Sequence, residues 1–591
     1  MKTEWDFANL QNYDWKKKRE EIKKAYLGFR DKYRENKDYL KKPEALKVAL
    51  DEFENLQRNF SGGQDEGYSC ALKIDLDETN KDYRKNLNEI EDFVINLGNE
   101  IRFFELEIGK IPAEKQKEFL ESNLLKSYKH LLERIFLFSK HALKEDEEKI
   151  ISLKARSSYD MWVKMISSLL SKETRKIKGP DGKEREMTYA ELLSLMKLQD
   201  KEIRKEARDI FEEILEKYKE VAEFEINAIL EDKKIDDKLR GFKRPDESRH
   251  LSDDIDSKVV DTMINAVTKR FSISHDYYKF KSKLLGLEKM DYSEKTIEYG
   301  EITKEYPYEE SVNLVRKVFY GIDEEFGKIF DRFFNNGFVD AFPRKGKRFG
   351  AACYHNTISQ PTYIILNHTR KLDDVLTIGH ETGHGINNEL MKKKLKAIEF
   401  ESPLSTAEVA STFFEDFVLE EILKEANEEE KLVILMEKLD RDISSIQRQT
   451  GCYNFEKELH KTYRKEGFLP LEKIEKIFKK HMSAYLGEAV DVSKSGNWWI
   501  YWPHIREYFY VYSYSSGLLI SKAMQKKFKE DKNFISKIKD FLGAGTSKSP
   551  KEIFSEMGID ITQESFWNEG LDKVEDLLNE AKALAKKLGK V

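Results

Sequence analysis

Leu372-Asp373-Asp374-Val375-Leu376-Thr377-Ile378-Gly379-His380-Glu381-Thr382-Gly383-His384 reads as a helix that carries chemistry. Asp373 is the expected N-cap, and Val375, Leu376 and Ile378 lead the helix into the motif. The last five residues spell H-E-x-x-H. Successive helical residues advance by about 100°, so His380 and His384 share one face and can bind one metal ion. Glu381 stands beside them and can reach a metal-activated water without being a ligand. This is the arrangement of a zinc metallopeptidase.

Two His leave a catalytic zinc short of one protein ligand. Glu389 is nine residues past His380 and about half a turn round the same helix, so it faces away. Glu399 and Glu401 fall in the following connection. Glu408 opens a second helical stretch, Ala407–Glu415, from which it could complete the metal site. Glu415, two turns on and on the same face, could orient a His as a hydrogen-bond acceptor. Ser405-x-x-Glu408 also fits a capping box, in which Glu408 would only bond its own helix start. The unfilled coordination position favours the ligand reading. Upstream, Arg348–Tyr354 and Tyr363–His368 are short apolar strand candidates around the turn at Gln360-Pro361. They either pack under the motif helix or offer an edge to a substrate backbone.

The chain of 591 residues is large enough for a substantial core. Lys and Arg number 104 against 110 Asp and Glu, giving a net charge of −6. That balance provides no strong positive field for nucleic acid. Three scattered cysteines make neither a disulfide framework nor a Cys-based zinc site. With no signal-peptide pattern and no membrane-length apolar run, the expected location is cytoplasmic, with no membrane partner.

Proline is rare, at 11 residues. Apolar spacing of three to four recurs through Trp15–Tyr33, Leu46–Asn59, Tyr83–Glu107, Glu191–Leu230 and Ile255–Leu285, so the fold is expected to be mainly α-helical. Gly179-Pro180-Asp181-Gly182 predicts a small hairpin, and Thr188-x-x-Glu191 a capping box opening a long helix. A boundary near residue 195 separates an N-terminal helical part, 1–195, from a catalytic part, 196–591.

The segment Asn497–Gly517 is dense in aromatic residues. Packing accounts for most such stretches. His504 and the phenols of Tyr508, Tyr510, Tyr512 and Tyr514 are also donors of the kind a tetrahedral oxyanion needs.

Taken with Gly346-Lys347-Arg348-Phe349-Gly350-Ala351, Ala407-Glu408-Val409-Ala410-Ser411-Thr412, Pro503-His504 and Phe509-Tyr510-Val511-Tyr512, the motif resembles the M3 peptidases, specifically the oligoendopeptidase F-like branch. The resemblance spans nearly the whole chain and is most specific from about 345 to 520. It implies a mainly helical, two-lobed metallopeptidase with a deep central channel and a small β-sheet beside the motif helix. It implies one Zn2+ per chain held by His380, His384 and Glu408, with Glu381 as base. His504, Tyr510 and Tyr512 correspond to the family's oxyanion-stabilising residues, although the spacing from His to tyrosines departs from related branches. The expected activity is endopeptidase cleavage of short unfolded peptides. A helical zinc carboxypeptidase is the alternative, and a non-catalytic peptide-binding protein a second. No oligomeric state is specified.

Overall fold

The computed structural model describes residues 1–10, 14–61 and 63–591. Helix accounts for 71% of the structure, as the scarcity of proline and the recurring three-to-four spacing predict. Trp15–Tyr33 is one helix, and Leu46–Asn59 lies within the helix Pro43–Phe60. Three of the longer expected helices are broken. Tyr83–Glu107 is divided into Lys81–Ile101 and Phe103–Gly109, and Ile255–Leu285 into Ser257–Lys269 and Ser272–Leu284. The Thr188–Glu191 capping box is present, but it opens only the short helix Tyr189–Leu195. Asp200 ends the continuity by accepting from the Glu202 and Ile203 amides, and the 40-residue helix Lys201–Arg240 starts there. At Asp200, side-chain competition for backbone donors thus overrides a continuous apolar period.

Contacts divide the chain into two compact units. The first comprises Met1–Glu145, Lys304–Ile422 and Met524–Ile559, and the second Asp146–Thr303, Leu423–Ala523 and Asp560–Val591.

In the first unit an aromatic core forms around Phe29, Tyr33, Phe53 and Phe104. Beside the motif helix, Leu372–Lys394, lies a three-stranded sheet. Its central strand, Tyr363–Ile365, pairs parallel with Val339–Asp340 and antiparallel with Ala352–Tyr354. Both expected strands exist, each shorter than the apolar pattern. Two side chains from the N-terminal part bond to the sheet: Trp5 Nε1 donates to the Ile364 carbonyl at 2.8 Å, and Tyr68 Oη donates to the Tyr354 carbonyl at 2.8 Å. Asp373 is not the N-cap of the motif helix. The helix begins at Leu372, and Asp374 in its first turn accepts from the Thr369 and Lys371 amides at 2.7 and 2.8 Å. A carboxylate one residue further in reaches two donors at once.

In the second unit, Ala207, Phe211, Ile214, Leu215, Ala222, Ile226 and Ile229 form the buried stripe of the long helix. Thr174–Lys178 and Glu184–Thr188 make the expected antiparallel hairpin. Glu225, on that stripe, is fully buried and bonds Arg506 through both carboxylate oxygens at 2.9 and 2.8 Å. Arg506 also donates to the Trp499 and Trp502 carbonyls, which fixes the turn that carries His504.

Candidate metal centre

Two glycines explain how the motif helix acquires its third donor. A Cβ on Gly383 would stand 2.9 Å from Ser411 Cα and 3.0 Å from the Ala410 carbonyl oxygen. A Cβ on Gly379, one turn earlier, would stand 2.9 Å from Val418 Cγ2. The helix Val409–Glu425 therefore lies against the motif helix at a distance only glycine permits. Glu408 sits at the junction of the short helix Leu404–Ala407 and this one. Ser405 is inside the short helix rather than at a helix start, so the capping geometry is not the one formed. The Glu408 carboxylate instead turns toward the histidines and accepts from Ser411 Oγ at 2.9 Å.

Glu408 Oε2 is 3.5 Å from His380 Nε2 and 3.6 Å from His384 Nε2. The three donor atoms lie within 4.8 Å of one another, and among the described residues this is the group with metal-binding geometry. Tetrahedral zinc with bonds of about 2.0–2.1 Å separates its ligands by about 3.3 Å. Two imidazole nitrogens and one carboxylate oxygen at the observed spacing fit that ion. His380 Nδ1 is 3.1 Å from Glu415 Oε2, leaving Nε2 for the metal face. Burial opposes charge on His380, but hydrogen bonds with Glu408 and Glu415 hold its pKa well above the ordinary value. Glu389 faces away as its position predicts, and pairs with Arg332 and Lys392.

Glu381 is 8% exposed. Burial pushes its pKa up, with His380 and His384 opposing. No protein group among the described residues hydrogen-bonds its carboxylate, so its lone pairs remain available to a small molecule. The set of groups therefore offers a three-donor metal site with an uncommitted carboxylate adjoining it.

His504 and the tyrosines belong to the second unit. His504 Nε2 is 3.0 Å from Tyr514 Oη, and the His504 ring lies 5.7 Å from that of Tyr510. Its Nδ1 is buried with no partner. Burial, then Arg448, pushes the His504 pKa down. Tyr512 is placed differently: it is fully buried, and its hydroxyl donates to Asp253 at 2.7 Å. Tyr508 donates to the Ile229 carbonyl at 3.0 Å. The structure thus gathers His504, Tyr510 and Tyr514, while the hydroxyls of Tyr508 and Tyr512 are bonded to Ile229 and Asp253.

Several supporting residues were not singled out from the sequence. Tyr508 and Phe509 both have left-handed backbone, with φ of 45° and 60°. Non-glycine residues adopt this only when neighbours hold them. Here Arg249 donates to the Glu507 and Tyr508 carbonyls at 2.7 and 3.1 Å, and Glu456 accepts from the Phe509 amide at 2.7 Å. These partners lie on distant helices with no motif around them; the local signal was confined to Glu456, a carboxylate within the buried stripe of the helix Gln449–Glu466.

Comparison with known proteins places this geometry in context. The family model described as peptidase family M3 matches residues 194–573, and one described as oligopeptidase F matches 107–171. Oligopeptidase PepF of Bacillus subtilis is 25% identical over 86% of this chain and 78% of its own length. An oligoendopeptidase F homolog of Borreliella burgdorferi is 26% identical over 89% of this chain and 90% of its own. The crystal structure of oligoendopeptidase-F from Enterococcus faecium shares the fold, with a TM-score of 0.71 at 20% identity over 97% of this chain and 98% of that one. With the family model spanning more than half of its length, the chain belongs to peptidase family M3.

Proposed function

We propose that this peptidase is a zinc-dependent endopeptidase of short oligopeptides, with His380, His384 and Glu408 as the ligands and Glu381 as the base. The observation that carries the reading is the convergence of two imidazole nitrogens and one carboxylate oxygen beside an uncommitted carboxylate. When bound, zinc would supply polarisation of the scissile carbonyl and acidification of the attacking water. Glu381 would take the proton of that water and pass it to the leaving amine, so that the peptide bond breaks with no net proton change. Glu415 would keep His380 in the tautomer that presents Nε2. His504 and Tyr510, with Tyr514 beside them, have the donors that a tetrahedral oxyanion requires. Tyr512 is less suited to that role because its hydroxyl is already given to Asp253.

The preference for short peptides rests on the relatives named oligopeptidase and oligoendopeptidase. A catalytic region starting near residue 196 is supported by the family match beginning at 194. A cytoplasmic location is supported by three free cysteines, Cys70, Cys353 and Cys452. Among the described residues, no helix is long and apolar enough to cross a membrane.

The test is digestion of a mixed peptide pool read by mass spectrometry, with and without a zinc chelator. Internal cleavage that disappears on chelation and returns with zinc is expected, including cleavage of peptides blocked at both ends. Cleavage that survives chelation, or trimming of C-terminal residues alone, would overturn the proposal.

A further inference from the structure

A cavity of about 410 Å3 opens against the motif helix, wholly within the first unit. It lies between the end of the helix Glu324–Asn335, the stretch 358–362 that leads into the central strand, and the last turns of the motif helix. Its volume is in the range of small-molecule sites. The apolar side is formed by Phe333, Phe338, Ile358 and Pro361. Phe333 and Ile358 are buried and make a fixed floor. Phe333 is held against Gly385, the residue after His384: a Cβ there would stand 2.7 Å from the Phe333 ring.

The polar side carries two cations and one carboxylate. Glu389, which faces away from the metal group, accepts from Arg332 Nη2 at 2.8 Å through one oxygen. Its other oxygen accepts from Lys392 Nζ at 2.6 Å and Thr362 Oγ1 at 3.2 Å. Lys392 also donates to Thr362 Oγ1 at 2.9 Å. Gln360 uses its amide elsewhere, donating to Asp65 at 2.6 Å and accepting from the Thr357 amide at 3.1 Å. Asp65 is not part of the wall, and among the described residues no carboxylate other than Glu389 lines it. Arg332 and Lys392 against Glu389 leave the wall with a net charge of +1. Arg332 Nε and Nη1 have no protein acceptor among the described residues. Burial draws the Lys392 pKa down while Glu389 opposes, so a further anion beside it would hold the charge that burial disfavours.

One negative charge neutralises this wall, and a planar carboxylate matches the free edge of a guanidinium. A phosphate, nearly doubly charged at neutral pH, would overshoot. The rest of the occupant must be apolar, because polar groups set against Phe333, Phe338 and Ile358 would lose their hydrogen bonds to water. We propose that this cavity binds a small monocarboxylate with an aromatic or branched apolar body, its carboxylate on Arg332 and Lys392. The site shares the motif helix with the metal group but none of its donor atoms. The inference does not depend on the peptidase reading.

The probe is phenylacetate, titrated by calorimetry against the full chain with zinc bound and after chelation. A dissociation constant of about 1 mM or tighter is expected in both states. Phenylacetamide, which lacks the charge, and acetate, which lacks the ring, should each bind about tenfold more weakly or worse. R332Q should lose about tenfold in affinity for phenylacetate. The Arg332 side chain is half-exposed, so this change is mild for the fold. Asn336→Trp, at the exposed rim, should close the cavity and abolish binding with the charges intact. It also decides the matter should R332Q not fold. No saturable binding at about 10 mM would overturn the proposal, as would equal affinity for the amide or unchanged affinity in either variant. Binding that appears only with zinc would overturn it too, by placing the anion on the metal. Tighter binding of phenyl phosphate would overturn the choice of a monoanion.

Discussion

His380 Nδ1 and Glu415 Oε2 face each other at 3.1 Å, on two helices whose contact is set by Gly379 and Gly383. The carboxylate orients the ring, so its loss should act on the metal before it acts on the fold. Glu415→Ala is expected to weaken zinc binding by about 10- to 100-fold. Competition against a chromogenic chelator measures this. Glu415→Gln, which retains an acceptor, should lose less, and equal affinity in all three proteins would remove the role.

Glu381 makes no hydrogen bond with the described protein and contributes no donor atom to the ligand cluster. Glu381→Gln should bind zinc like wild type while peptide cleavage falls by about 10²- to 10⁴-fold. Metal analysis and turnover on the same preparation separate the two effects. Wild-type-like cleavage by this variant would end the assignment.

A methyl group on Gly383 has no room against the Ser411 backbone. Gly383→Ala should cost about 1–3 kcal/mol of stability and lower zinc affinity, since the helix Val409–Glu425, which directly follows Glu408, must retreat. Gly28, also mid-helix, has nothing within 4 Å of its added Cβ. Gly28→Ala should instead stabilise by about 0.5–1 kcal/mol. Thermal melts of the pair, with and without zinc, give the comparison.

The Tyr508 and Tyr512 hydroxyls are given to the Ile229 carbonyl and to Asp253. Tyr510→Phe and Tyr514→Phe should lower kcat with a smaller change in KM. Tyr512→Phe should cost about 1–3 kcal/mol of stability by leaving Asp253 without this donor, with turnover largely kept. Lost turnover at unchanged stability in Tyr512→Phe would return the oxyanion role to Tyr512.

Glu456 is fully buried, and burial pushes its pKa from the ordinary 4.5 up to about 8, against the pull of the Phe509 amide and Arg249. The folded protein thus holds a proton that the unfolded chain releases above about pH 4.5. This contribution to stability is complete below pH 4.5 and is lost as pH rises through 8. Glu456→Gln keeps an acceptor for the Phe509 amide and removes the titration. Denaturant melts should show the variant more stable than wild type by about 2–4 kcal/mol at pH 8 and close to it at pH 4.5. Parallel pH profiles for the two proteins would refute the role.

The candidate metal site was legible because a helix imposes its own geometry. Two His four apart must share a face, and Glu389 at nine must leave it, so few arrangements remained. Glu408 was reachable because it heads the next helical stretch. The proposed oxyanion donors were harder to read. Tyr508 and Tyr510 lie in an irregular turn and Tyr512 and Tyr514 open the helix Tyr512–Glu530 that follows it, so two left-handed residues, Tyr508 and Phe509, set where the later side chains point. No periodicity survives such a turn. Helix breaks such as the one at Asp200 escaped because a single cap can interrupt an otherwise regular apolar repeat.

The buried pair of Glu225 and Arg506 has a consequence for inheritance. Removing either partner strands a charge in the interior, at about 3–5 kcal/mol, whereas replacing both with apolar residues of similar volume can be nearly neutral. The two positions are separated by 281 residues in the chain, yet they should mutate as one locus. A library that randomises them independently should return the original pair, or joint apolar replacements, and almost nothing between.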